Sequence, residues 1–102
     1  MIEIRYAAEN GRHRLHIYGH AGYGEYGADI VCAGVSAITF ALLGYLELGQ
    51  PAAAEVDITA HDDETVRAAF AMAVCGYRQI ADQYPDHVRF VLWEEDGAPE
   101  RR

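Results

Sequence analysis

The sequence predicts an α+β domain in which two helices pack on a small mixed sheet. Four segments alternate apolar and polar residues with a period of two, which is typical of half-buried strands. Two longer segments carry the start and stop signals of helices, and the resulting order is β-β-α-β-α-β. We expect one domain over residues 1–94 and a flexible polar tail over residues 95–102.

The first two predicted strands form a hairpin. An alternating run over residues 2–7 is followed by Asn10 and Gly11, a pair that tolerates the positive φ angles of a tight turn. The returning strand is expected over about residues 12–19. His20 then falls at the end of this strand, on the parity opposite to the core.

The first predicted helix spans residues 30–48. Asp29 precedes it as an N-cap, Gly49 is expected to end it, and Pro51 prevents its continuation. Its apolar residues spread around most of the circumference. We therefore expect burial on several sides, between the sheet and either a helix or a second subunit.

A third strand over residues 54–60 and a second helix over about residues 63–83 follow, with Asp62 as the expected cap, and a last strand begins at Val88. An apolar stripe at helical spacing marks the core face of the second helix: Val66, Phe70, Ala73, Tyr77, Ile80 and Tyr84. The opposite face is also poor in charge: Ala68, Met72, Cys75 and Gln79. This face predicts a homodimer surface, and an alanine-rich face that simply favours helix is the alternative.

Charge and hydropathy restrict the partners. The net charge of −8 argues against nucleic acid, because phosphate binding needs clustered Lys and Arg. An acidic surface attracts basic partners, with solubility alone as the alternative. No apolar run is long enough for a membrane span, and the N-terminal segment is too polar for the apolar core of a signal peptide. We therefore expect a cytoplasmic protein without a disulfide.

The segment over residues 19–36, GHAGYGEYGADIVCAGVS, places a histidine and a thiol on either side of a glycine-rich loop. Cys32 falls in the first turn of a helix, where unpaired N–H groups and the helix dipole favour a thiolate. His20 is placed to act as general base and then to protonate a leaving amine. The pattern predicts a Cys–His pair for peptide-bond hydrolysis.

Each of these residues also has a plain structural interpretation. Most free cysteines are small buried hydrophobes, so Cys32 is open to that role, and His20 to a local hydrogen bond at a strand end. A zinc site with His16 is disfavoured, because His16 and His20 lie about 13 Å apart along a strand. We expect no metal and no cofactor. Three further histidines are expected at the surface: His13, His61 and His87.

The residues around the pair suggest supporting roles. Asp29 is either a helix cap that orders the loop or a third catalytic member that orients His20. Ser36 lies one turn after Cys32, where it either bonds near the thiol or permits close helix packing. The loop is expected to close over a substrate peptide with these residues: Gly22, Tyr23, Gly24, Tyr26 and Gly27.

These motifs resemble the ribosomal-processing cysteine protease family, Prp. The family pattern, G-H-A and then D-I-V-C-A-x-V-S after a glycine-rich loop, is met at residues 19–21 and 29–36. The resemblance implies a homodimeric endopeptidase that trims a short N-terminal extension from the basic large-subunit ribosomal protein L-twenty-seven during bacterial ribosome assembly. It implies a dyad of Cys32 and His20, with supporting roles for Gly19, Ala21, Asp29 and Ser36. The alternative is a non-catalytic ribosome-associated binding or assembly module of the same fold.

Overall fold

The computed structural model describes residues 1–25, 29–49 and 55–93. Its elements follow the predicted order: β1 (Ile2–Glu9), β2 (Arg12–Tyr18), α1 (Ile30–Tyr45), β3 (Val56–His61), α2 (Glu64–Gln83) and β4 (Val88–Leu92). The sheet order is β3-β2-β1-β4, with β1 antiparallel to β2 and parallel to β4. The predicted α+β fold with a mixed sheet is confirmed. The predicted tail over residues 95–102 lies outside the described residues.

The hairpin forms where the sequence predicts it. Asn10 and Gly11 have φ angles of 56° and 72°, the positive values that both central residues of a type I′ hairpin turn require. The turn sets Glu9 opposite Arg12. This register determines, for each residue of β1 and β2, which of the two faces of the sheet its side chain lies on. Leu15 is fully buried as a result.

The core joins the inner face of the sheet to both helices. Its largest fully buried side chains come from the sheet and from both helices: Ile4, Leu15, Val31, Leu43, Phe70, Tyr77 and Val88. The buried hydroxyl of Tyr77 lies 2.7 Å from the hydroxyl of Thr39, which also bonds the carbonyl of Val35 at 2.8 Å. Burial raises the pKa of Tyr77 to about 12, so this hydroxyl stays neutral inside the core.

The outer face of the sheet carries a charged network. The carboxylate of Glu3, although buried, accepts hydrogen bonds from Arg5 and Arg89 at 2.6 Å each and from the hydroxyl of Tyr18. Burial raises the pKa of Glu3, but the three hydrogen bonds outweigh burial and bring the pKa below its usual value. The hydrogen bonds of this network therefore satisfy the buried carboxylate of Glu3 without a covering layer.

One histidine differs from the sequence expectation. His13 is buried, with Nδ1 2.7 Å from the hydroxyl of Tyr6 and Nε2 2.7 Å from Oδ1 of Asp62. The expected surface position is wrong because His13 shares the inner parity of Leu15 and Ile17 in β2. A carboxylate only accepts, so Nε2 carries the proton and Nδ1 accepts from Tyr6.

The end of α1 also differs. The helix ends at Tyr45, not at residue 48, because Glu47 rather than Gly49 takes the left-handed position after it, with φ of 56°. The N–H groups of Glu47 and Leu48 donate to the carbonyls of Gly44 and Leu43, which is the hydrogen-bond pattern of a Schellman motif. These bonds satisfy carbonyls of the last turn, so a glycine is not required there.

The start of α2 is displaced by one residue. Asp63, not Asp62, is the N-cap, and its side chain accepts from the N–H of Val66 at 2.8 Å. Asp62 faces β2 and the helix surface instead, where it bonds His13 and Arg67. In addition, β3 begins at Val56, and the expected start at residue 54 lies outside the described residues.

Only one side of α1 is buried in the single chain. Val31, Val35 and Leu42 lie in the core, whereas Phe40 and Tyr45 are 53% and 70% exposed. The expectation of burial on several sides therefore requires a partner for the outer face. No helix formed by the described residues is long and apolar enough to cross a membrane.

Asp62 is expected to make the free energy of unfolding depend on pH in the acid range. Hydrogen bonds from Arg67 and His13 lower its pKa from 3.8 to about 2. The folded pKa is below the unfolded value, so this stabilisation is present above pH 4 and disappears as the pH falls toward 2. Urea unfolding of Asp62→Asn should show lower stability than wild type at pH 7 and a difference that shrinks below pH 4. Asp86→Asn, in an exposed turn, is the control, and equal pH profiles for both variants would contradict this expectation.

Gly19 is expected to be essential for the end of β2. Its φ is +94°, and an added Cβ would overlap the carbonyl oxygen of Met1. Gly19→Ala should lose roughly 1–3 kcal/mol to backbone strain alone, and more to the overlap, in denaturant unfolding. Gly44→Ala is the matched control, because a Cβ at this helical glycine meets no atom within 4 Å and alanine favours helix. Equal stability of the two variants would argue against the strain.

Candidate active site

The carboxylate of Asp29 organises the start of α1 and the loop before it. Oδ1 accepts from the N–H groups of Val31 and Cys32 at 3.0 and 2.9 Å, and Oδ2 accepts from Tyr23 and Gly24 at 3.1 and 3.4 Å. These bonds, led by that from Cys32, hold the pKa of Asp29 below its usual value. The predicted N-cap is confirmed, and the same side chain also orders the glycine-rich loop.

The thiol of Cys32 meets the loop at Ala21. Cys32 is partly buried in the first turn of α1, and the N–H of Ala21 donates to its Sγ at 3.3 Å. Ala21 itself is buried in the core cluster. The contact therefore places a backbone hydrogen-bond donor against the sulfur of the candidate nucleophile.

His20 directly precedes Ala21, so the same contact brings its backbone to the thiol. Only two covalent bonds separate the Cα of His20 from the nitrogen of Ala21, which limits the distance from that Cα to Sγ to about 6 Å. The side chain of His20 is exposed and lies in the loop between Gly19 and Ala21. A histidine side chain is long enough to cover that distance.

The loop rests on the turn between α2 and β4. Nδ1 of His87 lies 2.8 Å from the carbonyl oxygen of Ala21. The ring of Tyr23 packs edge-to-face against Tyr84 and His87, with centroids 5.3 Å apart in both pairs. The expectation that His87 is a plain surface residue is therefore wrong. Its partner lies 66 positions away in the chain, and no local pattern indicates such a contact.

The other predicted site residues have simpler surroundings. Ser36 is exposed on α1, one turn after Cys32. Gly22, with φ of +68°, and Gly24 are exposed in the loop. Tyr26 and Gly27 lie outside the described residues.

Three N–H groups of the first turn of α1, those of Val31, Cys32 and Ala33, are already engaged. N–H groups at a helix start can hold the oxyanion of an acyl transfer, but Asp29 accepts from Val31 and Cys32, and the carbonyl of Asp29 accepts from Ala33. These groups reach a substrate oxygen only if the cap is released. The N–H of Ala21 is the backbone donor that the described residues direct at the sulfur.

The histidine of the alternative metal site points elsewhere. Nε2 of His16 lies 2.6 Å from Oε1 of Glu55 on the outer face of the sheet, and its ring contacts Tyr18 and Trp93. Within residues 1–25, 29–49 and 55–93, no group of three or more His, Cys, Asp or Glu side chains is arranged to hold a metal ion.

Comparison with solved structures shows that the fold is shared. The essential ribosomal processing protease Prp from S. aureus, with a covalently linked product peptide, superposes with a TM-score of 0.80 at 23% identity, over 90% of this chain and 99% of that one. Its complex with a substrate peptide gives 0.73 at the same identity and coverage. SMU.848 from Streptococcus mutans gives 0.71 at 27% identity, over 90% and 93% of the two chains.

Comparison at the level of sequence is more decisive for the family. Among curated proteins no similar sequence is found. The family model described as cysteine protease Prp, however, matches residues 1–89, from the first strand into β4. Because that match spans most of the domain, the chain belongs to the Prp family and is a cysteine protease.

Proposed function

We propose that this chain is the endopeptidase that trims a short N-terminal extension from the ribosomal protein L-twenty-seven, with Cys32 as nucleophile and His20 as general base and acid. The observation that carries the proposal is the 3.3 Å bond from the Ala21 N–H to Sγ of Cys32, which brings the loop holding His20 to the thiol. The S. aureus relatives, which are ribosomal processing proteases with bound peptides, support the substrate class.

The chemistry follows from these two side chains. His20 takes the thiol proton of Cys32 as Sγ attacks the scissile carbonyl carbon, a C–S bond forms, and the carbonyl π electrons move to oxygen. When that electron pair returns, the C–N bond breaks and the amine leaves with a proton from His20. Water then attacks the thioester as His20 takes its proton, and Cys32 leaves as a thiolate. Asp29 supports both steps by fixing the helix start and the loop.

The charge of the chain supports a basic ribosomal substrate. The formal net charge is −8, which attracts a basic protein and accelerates encounter at low salt. A ribosomal protein that is trimmed during assembly is met in the cytoplasm, so we place the enzyme there. The charged groups on the outer sheet face are paired with each other, which leaves no bare cluster of arginines for nucleic acid in that network.

Removal of either member of the pair should abolish trimming. Cys32→Ala and His20→Ala should each lower kcat/KM by more than about 10³-fold on the full-length ribosomal protein of the same organism, because covalent catalysis needs both groups. Cleavage is followed by intact-mass spectrometry.

Matched controls are Cys75→Ala and His61→Ala, which remove an exposed thiol and an exposed imidazole on other elements. Both should trim at the wild-type rate. Trimming that survives in Cys32→Ala would refute the assignment of the nucleophile. Stable binding by wild type without any cleavage would favour the non-catalytic assembly module instead.

We also propose that the outer helix layer forms a homodimer. An apolar groove of ≈ 770 Å³ lies between α1 and α2, lined among others by Ile38, Tyr45, Ala68 and Met72. Met72 is 79% exposed in the single chain, and Tyr45 of α1, which lines the same groove, is exposed as well. An exposed apolar surface of this kind is typical of an interface between subunits.

A charge at this surface should dissociate the dimer. Met72→Glu should weaken dimerisation by more than about tenfold, because each copy loses apolar burial and the two carboxylates are desolvated. Light scattering coupled to size exclusion over a concentration series measures it. Thr59→Glu, on the exposed outer face of β3, is the control. A monomeric wild type, or an unchanged dimer in Met72→Glu, would contradict the proposal.

A further inference from the structure

His87 holds the loop residue that contacts the thiol. Its Nδ1 lies 2.8 Å from the carbonyl oxygen of Ala21, while the N–H of Ala21 donates to Sγ of Cys32 at 3.3 Å. Ala21 is thus fixed by hydrogen bonds on both sides of its Cα, one to α1 and one to the turn before β4. Its side chain is 3% exposed, which leaves it little room to move.

The chemistry of this contact determines which ring nitrogen of His87 carries the proton. A carbonyl oxygen only accepts, so Nδ1 of His87 is the donor. A neutral His87 therefore carries its proton on Nδ1 and leaves Nε2 without one. The contact with Ala21 thus depends on a specific tautomer rather than on packing alone.

The position of His87 is itself held firmly. Its carbonyl accepts from the N–H of Ile2 at 2.9 Å and its N–H donates to the carbonyl of Tyr84 at 2.9 Å, so the residue is tied to β1 and to the end of α2. The ring also packs edge-to-face on Tyr23, two residues beyond Ala21. A donor on such a support can hold Ala21 in one place.

From this geometry we infer that His87 is a positioning residue of the active site, which holds the Ala21 peptide so that its N–H stabilises the Cys32 thiolate. His87 does not touch the thiol, and it acts through Ala21. The same hydrogen bond fixes the residue directly after His20, so it also holds the backbone beside the second member of the proposed pair. The consequence for proteolysis rests on the proposed function, whereas the effect on the thiol does not.

Alkylation of the thiol tests the inference without a substrate. Iodoacetamide at pH 7.5 is added to the whole protein, and mass spectrometry follows the peptides that contain Cys32 and Cys75. His87→Leu, which removes the donor, should slow alkylation of Cys32 by about tenfold and leave Cys75 unchanged. His87→Asn keeps an N–H donor and should restore most of the rate. His61→Leu, a change to an exposed histidine of β3, should match wild type.

Trimming kinetics separate this role from substrate binding. His87→Leu should lower kcat by a larger factor than it changes KM, because the lost hydrogen bond acts on the thiol through Ala21. A wild-type chain that trims nothing, while His87→Leu still slows alkylation, would count against the proposed function only.

Two results would overturn the inference. Equal alkylation rates in wild type and His87→Leu would show that the contact does not affect the thiol. Equal losses in His87→Leu and His87→Asn would assign the effect to ring packing rather than to the donated hydrogen bond. If His87→Leu fails to fold, ¹⁵N NMR of wild type decides the question, because the inference requires the Nδ1–H tautomer and an Nε2–H tautomer refutes it.

Discussion

The carboxylate of Asp29 is the constraint on which the site depends. Its two oxygens accept four backbone N–H groups, two from the first turn of α1 and two from the glycine-rich loop. One side chain therefore starts the helix that carries Cys32 and closes the loop that carries His20. All four of these donors are backbone groups, so Asp29 serves in this structure as the acceptor that caps the helix and orders the loop.

The rest of the site is supported from distant parts of the chain. Gly19 passes beside Met1, which directly precedes β1, Ala21 bonds His87, and Tyr23 packs on Tyr84 and His87. The sheet provides this support because β1 pairs with β4 in parallel, which places the turn before β4 next to the end of β2. The loop is thus rich in glycine but is anchored at alternate residues.

Much of the fold was predictable because its signals are local. The alternation of β1 and β2, the Asn10-Gly11 turn and the stripe of α2 each depend on residues that are close in sequence. The end of α1 was not predictable, because Glu47 adopts a left-handed φ that is usually found at glycine. The cap of α2 was not predictable either, because hydrogen bonds with His13 and Arg67 engage Asp62 and leave Asp63 to cap the helix.

The sequence by itself determined the order of elements, the cap at Asp29 and the identity of His20 and Cys32 as candidates, since each lies within one short segment. Only the tertiary structure decided that His13 bonds Asp62, that His87 supports the loop and that the N–H of Ala21 meets the sulfur. The physical reason is that these hydrogen bonds join residues 49, 66 and 11 positions apart. Such contacts arise from strand pairing and helix packing, which no local pattern of residue types encodes.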